Sequence, residues 1–187
     1  MTMENIVVAA AMEEWSRHVE EPPGRGWQRI DLYIRSNLGL VWSWLTRPYT
    51  KNRQFAWCGA FAAWCYGVAG LRADVRRRHL ASTYRLDRWS ARTARRLYTP
   101  SQLRPGDIMV VGTKKRYGDH ITIVRSVTPH YIDTVEGNAA DGVFPDATVG
   151  EGVVRKRRPR TDFVFGVRPL PEDYDAVPVL HLTEAHA

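Results

Sequence analysis

Cysteine is nearly absent from this chain: among 187 residues there are two, Cys58 and Cys65. Two thiols cannot build a disulfide framework, and these lack the spacing of a zinc-ligand set. Also absent is any run of the roughly 20 apolar residues needed to span a bilayer. The opening stretch, MTMENIVVAAAMEEW, lacks a basic region and is interrupted by Glu4, Glu13 and Glu14. A secretory signal would not look like this. Synthesis in the cytoplasm is expected, with any export by a route the chain itself does not encode. There is no internal repeat and no low-complexity segment. Acidic residues are the scarcer charge, 20 against 27 Lys and Arg, for a formal net charge of +7. Partners are therefore expected to be anionic, although no helix-turn-helix, zinc-finger or RNA-recognition pattern points to nucleic acid.

What is present changes texture along the chain. The first part reads as helical: 3–20 with Ile6, Ala9, Ala10, Met12 and Trp15 on its apolar positions, then 27–36 with Ile30, Tyr33 and Ile34 on one face. EPPGRG separates them. FAWCGAFAAWCYGVAG, 55–70, is long and apolar enough for a buried helix, with Gly70 as its stop. Residues 72–96 hold nine arginines against Asp74 and Asp87, in helical pieces broken near ASTY. Beyond the TPSQLRPGD turn come short β-branched segments, DIMVVG, HITIVRSV, YIDTVEGN and DFVFGVRP, with VTPHY as a tight hairpin between two of them. VRKRRPR, 154–160, reads as a basic strand edge or loop. Helices followed by strands predict an α+β fold, an antiparallel sheet with helices packed on one side. Residues 1–170 are expected to form one domain and 171–187 a tail.

Cys58 is placed where a thiol can react. It follows a polar loop and opens an apolar helix, whose N-terminus offers partial positive charge and free N–H groups. Both favour the thiolate, and the same N–H groups can stabilise an oxyanion. Cys65 lies two turns further on, about 10 Å away by helix rise, too far for a disulfide, and reads as core. A reactive thiol needs a base. Of six histidines, His120 begins a strand directly after the RYGD turn, where the rim of a sheet can aim an imidazole at a helix start. If HITIVRSV and YIDTVEGN pair around TPHY, Glu136 falls at the same end of the sheet as His120, where a carboxylate can orient the ring. Asn138, of the same strand parity, could support the imidazole or meet substrate.

WCGAFAAW, LRPGDIMVVG, GDHITIVRSV and TVEGN, in that order, resemble the CHAP family of cysteine- and histidine-dependent amidohydrolases and peptidases, over roughly residues 50–140. The resemblance implies a papain-like fold, with the nucleophile helix on a small antiparallel sheet. It implies Cys58 as nucleophile, His120 as general base, Glu136 as the residue orienting it and Asn138 as an accessory polar residue. The substrate implied is an amide in the peptide part of bacterial peptidoglycan, and no cofactor is expected. Many members carry Gln immediately before the nucleophile, at the oxyanion hole. Here Trp57 stands there, Gln54 could serve if the loop folds back, and Gly59 leaves room for substrate. Some members bind calcium just before the nucleophile, but TRPYTKNRQFAW has no carboxylate, so no metal is expected there. The arginine-rich segment suits either a solvated face or a contact to anionic wall polymer. An enzyme of this kind without a signal would reach the wall by phage-type release or by a secretion machine.

Overall fold

The computed structural model describes residues 2–20, 27–38, 56–112, 119–140 and 152–175. Helix α1 (Met3–Ser16) begins where the Thr2 side chain accepts the Asn5 N–H at 3.4 Å. It ends four residues earlier than its apolar pattern predicts: His18 takes a left-handed φ of 51° and turns the chain, so that Glu20 bridges Gly152 at the sheet edge. Its buried face also differs from the expected one. Ile6, Val7, Ala10, Ala11 and Glu14 point inward, while Ala9 is exposed. The stripe is rotated because Glu14, which looked like an interruption, is buried with partners on the next helix. Helix α2 (Trp27–Leu38) presents Ile30, Tyr33 and Ile34 to the core, the face its sequence predicted.

Helix α3 (Cys58–Val68) is apolar on nearly all sides, and eight of its eleven residues are buried. A helix of that kind belongs in the middle of a protein, and α3 packs against α1, α2 and the sheet. The arginine-rich stretch follows as a helical turn at Ala73–Val75, a π-helical segment at Arg76–Leu80 and helix α4 (Thr83–Ala91).

Six strands complete an α+β fold: β1 (Arg96–Leu97), β2 (Ile108–Val111), β3 (His120–Val127), β4 (Tyr131–Ala139), β5 (Gly152–Pro159) and β6 (Phe163–Val167). They form one antiparallel sheet in the order β1-β6-β2-β3-β4-β5. The basic segment VRKRRPR thus lies on an edge strand, where Lys and Arg discourage pairing with other chains. Both faces are used. Ile108, Val110, Ile121, Ile123 and Val135 meet the helices, and Met109, Val111, Val124 and Ile132 form a smaller apolar cluster with Leu97 and Leu103. The β3–β4 hairpin closes at TPHY, where Thr128 N–H bonds Tyr131 O at 2.9 Å. Residues 171–175 stay on the body: Asp173 is buried and takes a two-bond fork from Arg95, 2.6 and 2.7 Å, and Tyr174 bridges Leu71. No described helix is long and apolar enough to cross a membrane.

Candidate active site

Cys58 is the first residue of α3 and is 8% exposed, a buried member of the main core cluster. The first bond of the helix runs from Phe61 N–H to Trp57 O at 3.0 Å. The N–H groups of Cys58, Gly59 and Ala60 therefore precede any helical acceptor. Burial opposes ionisation of the thiol. It is outweighed by the hydrogen bond and charge of His120 and by the Ile121 and Gly59 N–H groups, so that Cys58 is held below the ordinary 9.0. Cys65 is fully buried, and burial with the charge of Glu14 pushes its thiol well above the ordinary value.

The β3–β4 hairpin carries His120 and Glu136 to one end of the sheet, as their sequence positions implied. His120 Nε2 lies 3.2 Å from Glu136 Oε2. The contact is an ion pair without the alignment of a hydrogen bond. Burial lowers the His120 pKa, but Cys58 and Glu136 raise it further, to about 9. Glu136 has no exposed surface. Burial raises its pKa, yet Arg158 and His120 together bring it down to about 2. The site thus holds an imidazolium and a carboxylate at neutral pH, and the His120 imidazolium favours ionisation of the Cys58 thiol.

Arg158 is the member that sequence reasoning missed. From β5 its Nε donates to Glu136 Oε1 at 2.8 Å and its Nη2 to Oε2 at 2.6 Å, while the Thr134 hydroxyl donates to Oε1 at 2.5 Å. A guanidinium fork on a carboxylate fixes its plane. Within the run of basic residues at 154–160 nothing local marks Arg158 out. The β4–β5 register, with Ile132 opposite Arg158 and Thr134 opposite Lys156, is what brings it to Glu136.

Three other sequence candidates fall elsewhere. Asn138 does not reach the imidazole on strand parity, because β4 carries an irregularity between Glu136 and Ala139 and Asn138 has a left-handed φ of 59°. Its Oδ1 instead accepts the Trp57 N–H at 2.7 Å, tying the end of β4 to the residue before Cys58. Trp57 is not a substrate-facing residue: its ring is fully buried and stacked on Tyr33 at 6.0 Å, and Asn138 already occupies its N–H. Gly59 is also not open space. A Cβ there would lie 2.6 Å from Leu80 O, so its small size serves close packing, while its N–H faces the thiol. Gln54 lies outside the described residues.

A thiol at a helix start, an imidazole at a strand start and a carboxylate behind it define a thiol hydrolase of the papain-like kind. The family model of the CHAP domain matches residues 49–138, so this stretch of the chain, which holds Cys58, His120 and Glu136, is a CHAP domain. It is a cysteine, histidine-dependent amidohydrolase or peptidase. No curated protein and no solved structure matches the chain significantly.

Proposed function

We propose that the chain is a peptidoglycan hydrolase that cuts an amide bond of the wall peptide, either between muramic acid and L-alanine or within the peptide. The observation that carries this reading is the convergence of Cys58, His120 and Glu136 inside a CHAP domain. The excess of positive charge, +7, also suits an anionic envelope. The Cys58 thiolate attacks the amide carbonyl carbon. The oxyanion that forms lies against N–H groups at the start of α3. Imidazolium His120 gives its proton to the leaving amine, the C–N bond breaks and a thioester remains. Neutral His120 then takes a proton from water, whose oxygen attacks the thioester carbonyl. Collapse of that intermediate releases the carboxylic acid and restores the thiolate. Glu136 stays ionised throughout and holds the imidazolium in place. Delivery to the wall is by phage-type release or by a secretion machine.

Digestion of purified peptidoglycan by the wild type and by Cys58→Ala, with mass spectrometry of the fragments, tests this. The wild type should release fragments with a new amine and a new carboxyl end. Cys58→Ala should release none while keeping its circular dichroism. Turnover of other amides by a wild type that leaves the wall intact would move the same chemistry to a non-wall substrate.

A further inference from the structure

The arginine-rich segment carries ligand chemistry that amide hydrolysis does not use. The π-helical stretch Arg76–Leu80 and α4 enclose an open recess of about 330 Å³. Arg78, Arg85, Arg88 and Arg92 line it and are all exposed, and no carboxylate lines it. The two acids of the segment are engaged elsewhere, Asp87 with Arg96 at 2.7 Å and Asp74 with Arg72 at 3.2 Å. Arg78, Arg85 and Arg92 have no ion-pair partner among the described residues. Arg85, Arg88 and Arg92 follow i, i+3, i+7 spacing and so form a row of about 10 Å along one helix face. A row of separate cations suits a linear polyanion, whereas a single small anion needs donors that converge on it.

The aromatic side chains of the recess decide which polyanion. Trp89 is covered by His79, whose ring lies parallel at 2° and 4.9 Å, and by the Arg95 guanidinium at 5.3 Å. Tyr84 carries Arg88 over its ring at 5.7 Å and bonds it through the hydroxyl at 2.9 Å. His79, Arg95 and Arg88 lie over these rings, so the platforms on which single-stranded nucleic acid stacks its bases are partly occupied by the protein's own side chains, Tyr84 keeping 44% of its surface exposed. The recess offers a row of charge more than a stacking surface. It also belongs to a segment seated on the nucleophile helix: Leu80 O and Ala81 C would lie 2.6 and 2.9 Å from a Cβ on Gly59.

We propose that this recess binds a phosphodiester polymer that has no bases, of the polyol-phosphate type, and so holds the enzyme on the envelope beside its active helix. The role in the envelope rests on the wall-hydrolase reading above; the binding does not. The test uses the full chain as Cys58→Ala, so that binding is read without turnover. Its affinity for purified poly(glycerol phosphate) is measured by titration calorimetry at several salt concentrations. About four phosphate contacts predict a loss of roughly 10- to 100-fold between 50 and 200 mM salt. Adding Arg78→Gln, Arg85→Gln and Arg92→Gln should weaken binding at least 10-fold and flatten that salt dependence. In the active chain the same three substitutions should leave hydrolysis of a small soluble muropeptide unchanged. Equal affinity in the triple variant overturns the proposal. So does tighter binding of a single-stranded DNA oligomer with the same number of phosphates, which would make this a nucleic-acid surface. Competition by inorganic phosphate at matched phosphate concentration overturns it too, since that would mean a single-anion pocket. Failure of the wild type to cut the wall would leave the binding result standing.

Discussion

Glu136 is one carboxylate shared by two cations, and the sharing is unequal. Arg158 takes both oxygens in a fork, 2.8 and 2.6 Å, while His120 holds one at 3.2 Å without alignment. Because Arg158 neutralises part of the carboxylate charge, it restrains how far His120 is raised. The wild type should have a rate profile that declines in acid as the lowered Cys58 thiolate is protonated. It should decline again near pH 9, where His120 gives up the proton the leaving amine needs. These limbs belong to the coupled pair. Arg158→Gln removes a positive charge, so the carboxylate acts on His120 alone and the alkaline limb should move to higher pH. Loss of the fork should also slow turnover by on the order of 10-fold, since orientation is no longer fixed, and cost about 1–3 kcal/mol of stability through a less satisfied buried carboxylate. Arg158→Lys keeps the charge but not the fork, so it should restore the limb near 9 without restoring the rate. An unmoved limb in Arg158→Gln, read by the pH dependence of kcat/KM or of Cys58 alkylation, would show that Arg158 is only scaffold.

At the scale of elements, the site is a junction between the start of α3 and the end of β4. Gly137 brings them together: a Cβ there would lie 2.6 Å from both Phe61 Cβ and Trp57 Cζ3. Asn138 locks them, from a left-handed backbone, through Trp57 N–H. Gly at 138 keeps the backbone conformation and loses about 1 kcal/mol with the hydrogen bond. Ala loses the same bond and adds roughly 1 kcal/mol for the left-handed conformation. Asn138→Ala should therefore be less stable than Asn138→Gly in chemical denaturation, the reverse of the order for a regular strand, where Gly is the weaker residue. The opposite ranking would mean that the irregularity in β4 is not maintained. This junction also shows what could be read from the sequence. The loop-to-helix change at Cys58 and the hairpin around TPHY were visible in local composition, and together they brought Cys58, His120 and Glu136 to one place. Asn138 was misplaced because parity assumes an unbroken ladder, and the break is set by the approach of α3. Arg158 was invisible because its role comes from the register of an edge strand and not from its neighbours in the chain.

For the whole molecule, the helices are pinned to one another through a charge that looked like surface. Glu14 on α1 has no exposed area; it takes a fork from Arg29, one arm at 2.6 Å, and a hydrogen bond from the Tyr33 hydroxyl on α2. Tyr33 in turn stacks on Trp57 and meets Phe61 and Trp64 at 5.5 and 5.4 Å. The chain of contacts runs from α1 through α2 to the residue before Cys58. Nothing in MEEWSRH signals this, because a glutamate that is buried and paired has the same local pattern as one in solvent. Burying two charges costs desolvation that their attraction only partly offsets, whereas removing one partner strands the other. Glu14→Gln should therefore destabilise the protein by about 2–4 kcal/mol, with Arg29 left uncompensated. Combining Glu14→Met, Arg29→Met and Tyr33→Phe leaves no polar group unpaired, so the triple variant should be closer to the wild type than the single one, by guanidinium unfolding. If the single variant were the more stable of the two, the network would be a surface feature, and α1 would be held by its apolar stripe alone.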